Sequence, residues 1–79
     1  MAMSFTEFRQ LVFATIAEHD GLWSWYQIDR VIVVAHPEMS SSLMKALRSL
    51  EDEGLIRTLP SEHSGQPHYA VTQKGKGNG

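Results

Sequence analysis

The sequence predicts a small α+β domain: three helices followed by a short C-terminal β-hairpin. Three observations carry this. Two serine-capped segments with apolar residues at helical spacing open the chain. A third such segment, residues 40–53, stops at Gly54. After it, two short stretches, residues 55–59 and 68–72, flank a run of turn formers. A chain of 79 residues is expected to fold as one domain, here residues 1–75 with a flexible tail at 76–79. It buries only about 60–65% of its unfolded surface, so its core is small.

The first helix starts at Ser4, which has capping-box spacing to Glu7, while Met3 and Phe8 are placed for a hydrophobic staple. It is expected to run to about His19 and to stop at Asp20-Gly21. Its apolar residues are Phe5, Phe8, Leu11, Val12, Phe13 and Ile16. They cover about half the helix circumference, wider than the stripe one small core requires. The plain reading is that the same core covers both sides; the sharper one puts Leu11 or Phe13 in a subunit interface.

Leu22-Trp23 is long enough only for a brief strand or connector. Ser24 and Gln27 repeat the capping-box spacing. A second helix is expected from there to Ala35 or His36, before Pro37. Residues 31–34 are all β-branched and locally favour a strand. The capping signal and the i, i+3, i+4, i+7 spacing of Ile28, Val31, Ile32 and Ala35, expected to form its buried face, favour a helix. On that helix Tyr26, Val33 and Val34 fall off the core face and become candidates for a partner surface.

The third helix is expected over residues 40–53, opened by Ser40, Ser41 and Ser42 as capping residues. Leu43, Ala46, Leu47 and Leu50 form its buried stripe, and Ser41, Lys45, Arg48 and Asp52 cluster on the opposite face. Gly54 supplies the left-handed stop. The stretch 60–67, rich in Pro, Ser and Gly, breaks the hairpin strands and makes a long polar tip. From Gln73 onward there is no apolar residue, and the chain is expected to fray.

Composition narrows the function. There is no cysteine, hence no disulfide and no thiolate nucleophile or ligand. No run approaches a membrane span, and the N-terminus lacks the basic and apolar regions of a signal peptide, so a cytoplasmic location is expected. His63 and His68 lie five residues apart with no further ligand at a matching spacing, so neither a metal site nor a cofactor is expected, and nothing suggests an enzyme. The net charge is −2. Residues 1–43 carry two basic and five acidic side chains, and residues 44–79 carry five and four, so the balance moves from −3 to +1 along the chain.

The element order, together with LRSLEDEGLI at residues 47–56 and GQPHYAVTQKG at 65–75, resembles bacterial winged helix-turn-helix regulators of the MarR and PadR kind, in a minimal form. The resemblance covers about residues 22–75. It implies a winged helix-turn-helix fold in which residues 40–53 are the recognition helix, the hairpin 57–68 is the wing, and the ligand is double-stranded DNA. The related proteins build their dimer with a helix after the last strand, for which this chain shows no counterpart; a homodimer would have to use another face. On this reading Arg48 meets a guanine edge, Lys45 a guanine or a phosphate, and Ser40, Ser41 and Ser42 a phosphate oxygen. Arg57, His63, Gln66 and Lys74, with Lys76, hold flanking backbone. Glu51, Asp52 and Glu53 sit at the negative end of the helix and repel phosphate. With the small size, the acidic balance and the missing dimerisation helix, they motivate the alternative, a winged-helix module that binds a protein partner and no DNA, as a subunit or inhibitor of a larger assembly.

Overall fold

The structure is a computed structural model that describes residues 3–60 and 66–75. Helix α1 spans Phe5–Glu18, strand β1 Trp23–Ser24, helix α2 Trp25–Ala35, helix α3 Leu43–Asp52, strand β2 Ile56–Leu59 and strand β3 His68–Val71. A 3-10 turn, Pro37–Ser42, joins α2 to α3. Three helices and one small antiparallel sheet make this an α+β fold in the winged helix-turn-helix order.

The helix starts follow the sequence signals. At α1 the Glu7 amide donates to Ser4 Oγ and the Ser4 amide donates to Glu7 Oε1, both at 3.1 Å. The Ser4 amide, and after it the Ser4 hydroxyl, hold the Glu7 carboxyl below its usual range. At α2 Gln27 Oε1 accepts from the Ser24 amide at 2.8 Å and from the Ser24 hydroxyl at 2.6 Å. Residues 31–34 are helical, so the local β preference loses to capping and to burial of Ile28 and Ile32. The buried stripe of α2 is narrower than its spacing suggested. Val31 is 51% exposed and Ala35 is exposed as well, because an 11-residue helix meets this small core along one line only.

Of the three serines only Ser42 stands at the cap position of α3, and its side chain does not cap the helix. Pro37 stands in the first turn of the 3-10 segment, and the chain is already helical by Ser42, at φ −100° and ψ −8°. Proline presets the helical φ, so helical backbone starts at Pro37 and runs through the three serines. Ser42 makes no capping hydrogen bond. The α-helix therefore begins at Leu43 and not at residue 40.

The sheet order is β1-β3-β2, with β1 antiparallel to β3 (Trp23 opposite Tyr69) and β2 antiparallel to β3 (Ile56 opposite Val71). The two-residue β1 is thus an edge strand. The chain reaches it through Gly21, at φ +77°, whose amide donates to Tyr69 O at 2.9 Å. Asp20 Oδ1 accepts from the Val71 amide at 2.8 Å, tying the end of α1 to β3. Phe8, Val12 and Ile16 of α1 meet Ile28 and Ile32 of α2, Leu43, Ala46, Leu47 and Leu50 of α3, and Ile56, Tyr69 and Val71 of the sheet in one core. Burial, with Glu51 adding to it, raises the pKa of Tyr69 above its ordinary value.

The two segments that carry the family resemblance meet in space. Gly54, at φ +75°, ends α3. The Thr72 hydroxyl donates to Gly54 O and accepts from the Gly75 amide, the latter at 3.0 Å. The Thr72 amide donates to Leu55 O at 3.1 Å. A Cβ on Gly75 would lie 2.2 Å from Leu55 O, so only glycine fits there. Residues 73–75 are consequently a docked turn, which corrects the expected fraying from Gln73. Thr72→Val removes a donor and an acceptor from a half-buried spot and is expected to cost about 1–3 kcal/mol. Thr72→Ser is expected to restore most of it, as read by chemical denaturation.

Candidate nucleic-acid interface

The outer face of α3 is bounded on one edge by α1. Arg9 forms an ion pair with Glu53, and its Nε donates to Ser49 Oγ at 3.0 Å. On the same edge Lys45 Nζ lies 5.5 Å from the centroid of the Phe5 ring. At about 100° per residue, Ser49 and Glu53 then face α1, Lys45 stands on the shoulder, and Arg48 and Asp52 form the outer crest. Glu51 lies toward the sheet, where its charge acts on Tyr69. The three acids at the end of α3 therefore point in different directions. Glu53 is neutralised by Arg9, and Asp52 shares the crest with Arg48.

Ser40, Ser41, Lys45 and Arg48 are exposed on this surface, and Ser42 is half-buried. The serines do not sit at a free helix start. A helix entered from a preceding helical turn has carbonyls one turn back for its first amides, which weakens the phosphate site expected from helix-terminal N–H groups. Arg48 makes no ion pair with any described residue. Arg57 is exposed on β2, and Gln66 is exposed just before β3. Lys74 is placed elsewhere: its side-chain Cδ is 3.8 Å from where a Gly54 Cβ would be. The stem of this exposed side chain thus passes the C-terminal end of α3. With about 1.5 Å of rise per residue, that end is on the order of 15 Å from Ser41. Lys45 and Arg48 share the exposed side of α3, with Ser41 exposed on the 3-10 turn before it. His63, like Lys76, lies outside the described residues.

The interface candidates separate in the same way. Leu11, Phe13 and Val33 are partly buried and packed against the core of their own chain. Tyr26 and Val34 are exposed, at 49% and 75%, and Leu22 and Val31 join them. Trp23, Tyr26, Gln27, Arg30 and Val31 line a shallow groove beside α2. Arg30 lies 5.5 Å from the Tyr26 ring centroid and donates to Tyr26 Oη at 3.1 Å. Both tryptophans are half-buried. Trp23 stacks on His19 at 3.6 Å between centroids, and Trp25 meets Tyr26 edge-on at 5.9 Å.

Three residues that shape the site have no strong signal in the sequence. Arg9 lies 40 residues from the Ser49 it bonds, and nothing local marks it. Thr72 is legible only as part of a motif. Met44 stands on the exposed side of the α3 helical wheel and was open to notice from its spacing.

No protein-family model matches the chain, and no curated protein matches it. A solved structure, the crystal structure of smu.1704 from Streptococcus mutans UA159, is similar, with a TM-score of 0.81 and 27% sequence identity. The match covers 96% of this chain and 72% of that one. It supports the compact α+β fold. Among the described residues no helix is long and apolar enough to cross a membrane, and no cluster of His, Asp or Glu has the makings of a metal site.

Proposed function

We propose that this protein binds double-stranded DNA, placing the outer face of α3 in the major groove, and that it acts as a cytoplasmic transcriptional regulator. One observation carries the reading. Arg48 and Lys45 project from the exposed face of the helix that follows the 3-10 turn, while the neighbouring Glu53 is held by Arg9 on the α1 side. A major groove admits a helix, and a guanidinium fork suits the guanine edge. Arg57 and Gln66 are exposed on the hairpin and supply backbone contacts on this reading.

The test is a titration of labelled duplex DNA from a random-sequence pool at several salt concentrations. Binding is expected to weaken with a log–log slope of about 0.9 for each phosphate neutralised. No binding even at low salt overturns the reading.

A second reading, a protein-interaction module without DNA, is favoured by a different observation. Leu22, Tyr26, Val31 and Val34 leave large apolar surface exposed on and just before α2. Contiguous exposed apolar surface marks partner sites more often than isolated residues do. The DNA titration separates the two readings.

A further inference from the structure

Met44 is the large apolar side chain of α3 that stands in solvent, 55% exposed, whereas the other exposed large apolar residues described, Leu22, Tyr26, Val31 and Val34, belong to α2 or its approach. It is absent from the residues packed against the core. It falls four positions before Arg48, so it flanks the crest on the side away from Phe5 and Lys45. The rest of that crest is polar or charged. An apolar group in such a setting matches one feature of the major groove: the C5-methyl of thymine is the apolar mark on its base edges. A thioether side chain is unbranched and soft, so it adapts to a single methyl without demanding a fixed approach.

We propose that Met44 contacts a thymine methyl group in the major groove, next to the base pair met by Arg48. The proposal rests on the DNA-binding reading above. Met44 and Arg48 are one helical turn apart, on the order of 6 Å along the axis. That distance corresponds to one or two base-pair steps of about 3.4 Å. The preferred site therefore holds a thymine within two base pairs of a guanine, and Met44 is a specificity-determining residue.

The test uses duplexes selected by the intact chain from a random pool. Each thymine of a selected site is replaced singly by deoxyuridine, which removes only the methyl group. With the parent protein, one replacement is expected to weaken binding about fourfold, the effect of withdrawing one buried methyl. With Met44→Ala the same replacement is expected to have no effect, and Met44→Leu is expected to keep the discrimination. The exposed position lets both variants fold, which thermal unfolding checks. If sites are selected but deoxyuridine weakens binding equally in parent and Met44→Ala, or in neither, the proposal falls while the DNA reading stands. If no duplex is retained at low salt, both fall.

Discussion

Replacing Lys45 and Arg48 together by alanine is expected to weaken specific duplex binding by about 100- to 1000-fold. A bidentate arginine–guanine pair discriminates by about 1–3 kcal/mol. The loss of cationic contacts adds a sequence-independent share, and the salt slope is expected to fall by roughly one to two units. Both side chains are exposed, so the fold is expected to survive. The Lys45–Phe5 contact contributes on the order of 0.5–1 kcal/mol at an exposed site, small beside the expected binding loss. Equal affinity in parent and double variant, measured on the same duplex and salt, sinks the assignment of α3 as the reading helix.

The largest stability effect is expected at Phe8. Its side chain is fully buried at the heart of the core, on the α1 face that meets α3 and the sheet. Phe8→Ala is expected to cost about 3–5 kcal/mol, from lost apolar burial and the cavity left behind. A domain of this length has about 4–12 kcal/mol in total, so the variant is expected to lose roughly a quarter or more of its stability. DNA binding goes with it, because α1 holds α3 through Arg9, Ser49 and Glu53. Urea denaturation followed by circular dichroism measures the shift. A loss below about 1 kcal/mol would mean that the core is not organised around this residue.

The contrast between the two variants sorts the surface from the scaffold. Lys45 and Arg48 act outward and leave the core intact, whereas Phe8 and the Gly54–Thr72–Gly75 contact set where α3 and the hairpin sit. The segments 47–56 and 65–75 resemble a regulator signature largely for that second reason. Thr72 bridges Gly54 O and the Gly75 amide, and Gly75 leaves room for Leu55 O. Those contacts specify how the end of α3 joins the strands. They do not touch the face that carries Lys45 and Arg48.

Local signals settled what local physics settles. Capping boxes at Ser4 and Ser24, left-handed glycines at 21 and 54, and apolar residues at helical spacing marked the helices and their ends, because each depends on neighbours within one turn. The start of α3 differs from the serine signal because Pro37 opens a 3-10 segment that takes in Ser40, Ser41 and Ser42, a competition between two legitimate starts that spacing alone cannot rank. Partners remote in sequence were decided only by the tertiary structure. The sequence placed Glu51, Asp52 and Glu53 side by side as three like charges. The fold turned Glu53 to Arg9, Glu51 toward Tyr69, and left Asp52 beside Arg48. The sequence set Lys74 beyond the hairpin as a flanking-backbone contact, and the fold runs its stem past Gly54 at the C-terminal end of α3. Which way a side chain on a short helix points depends on the elements packed against that helix. Those contacts span some 40 positions of chain from Arg9 to Ser49 and 44 from Arg9 to Glu53, which no local pattern encodes.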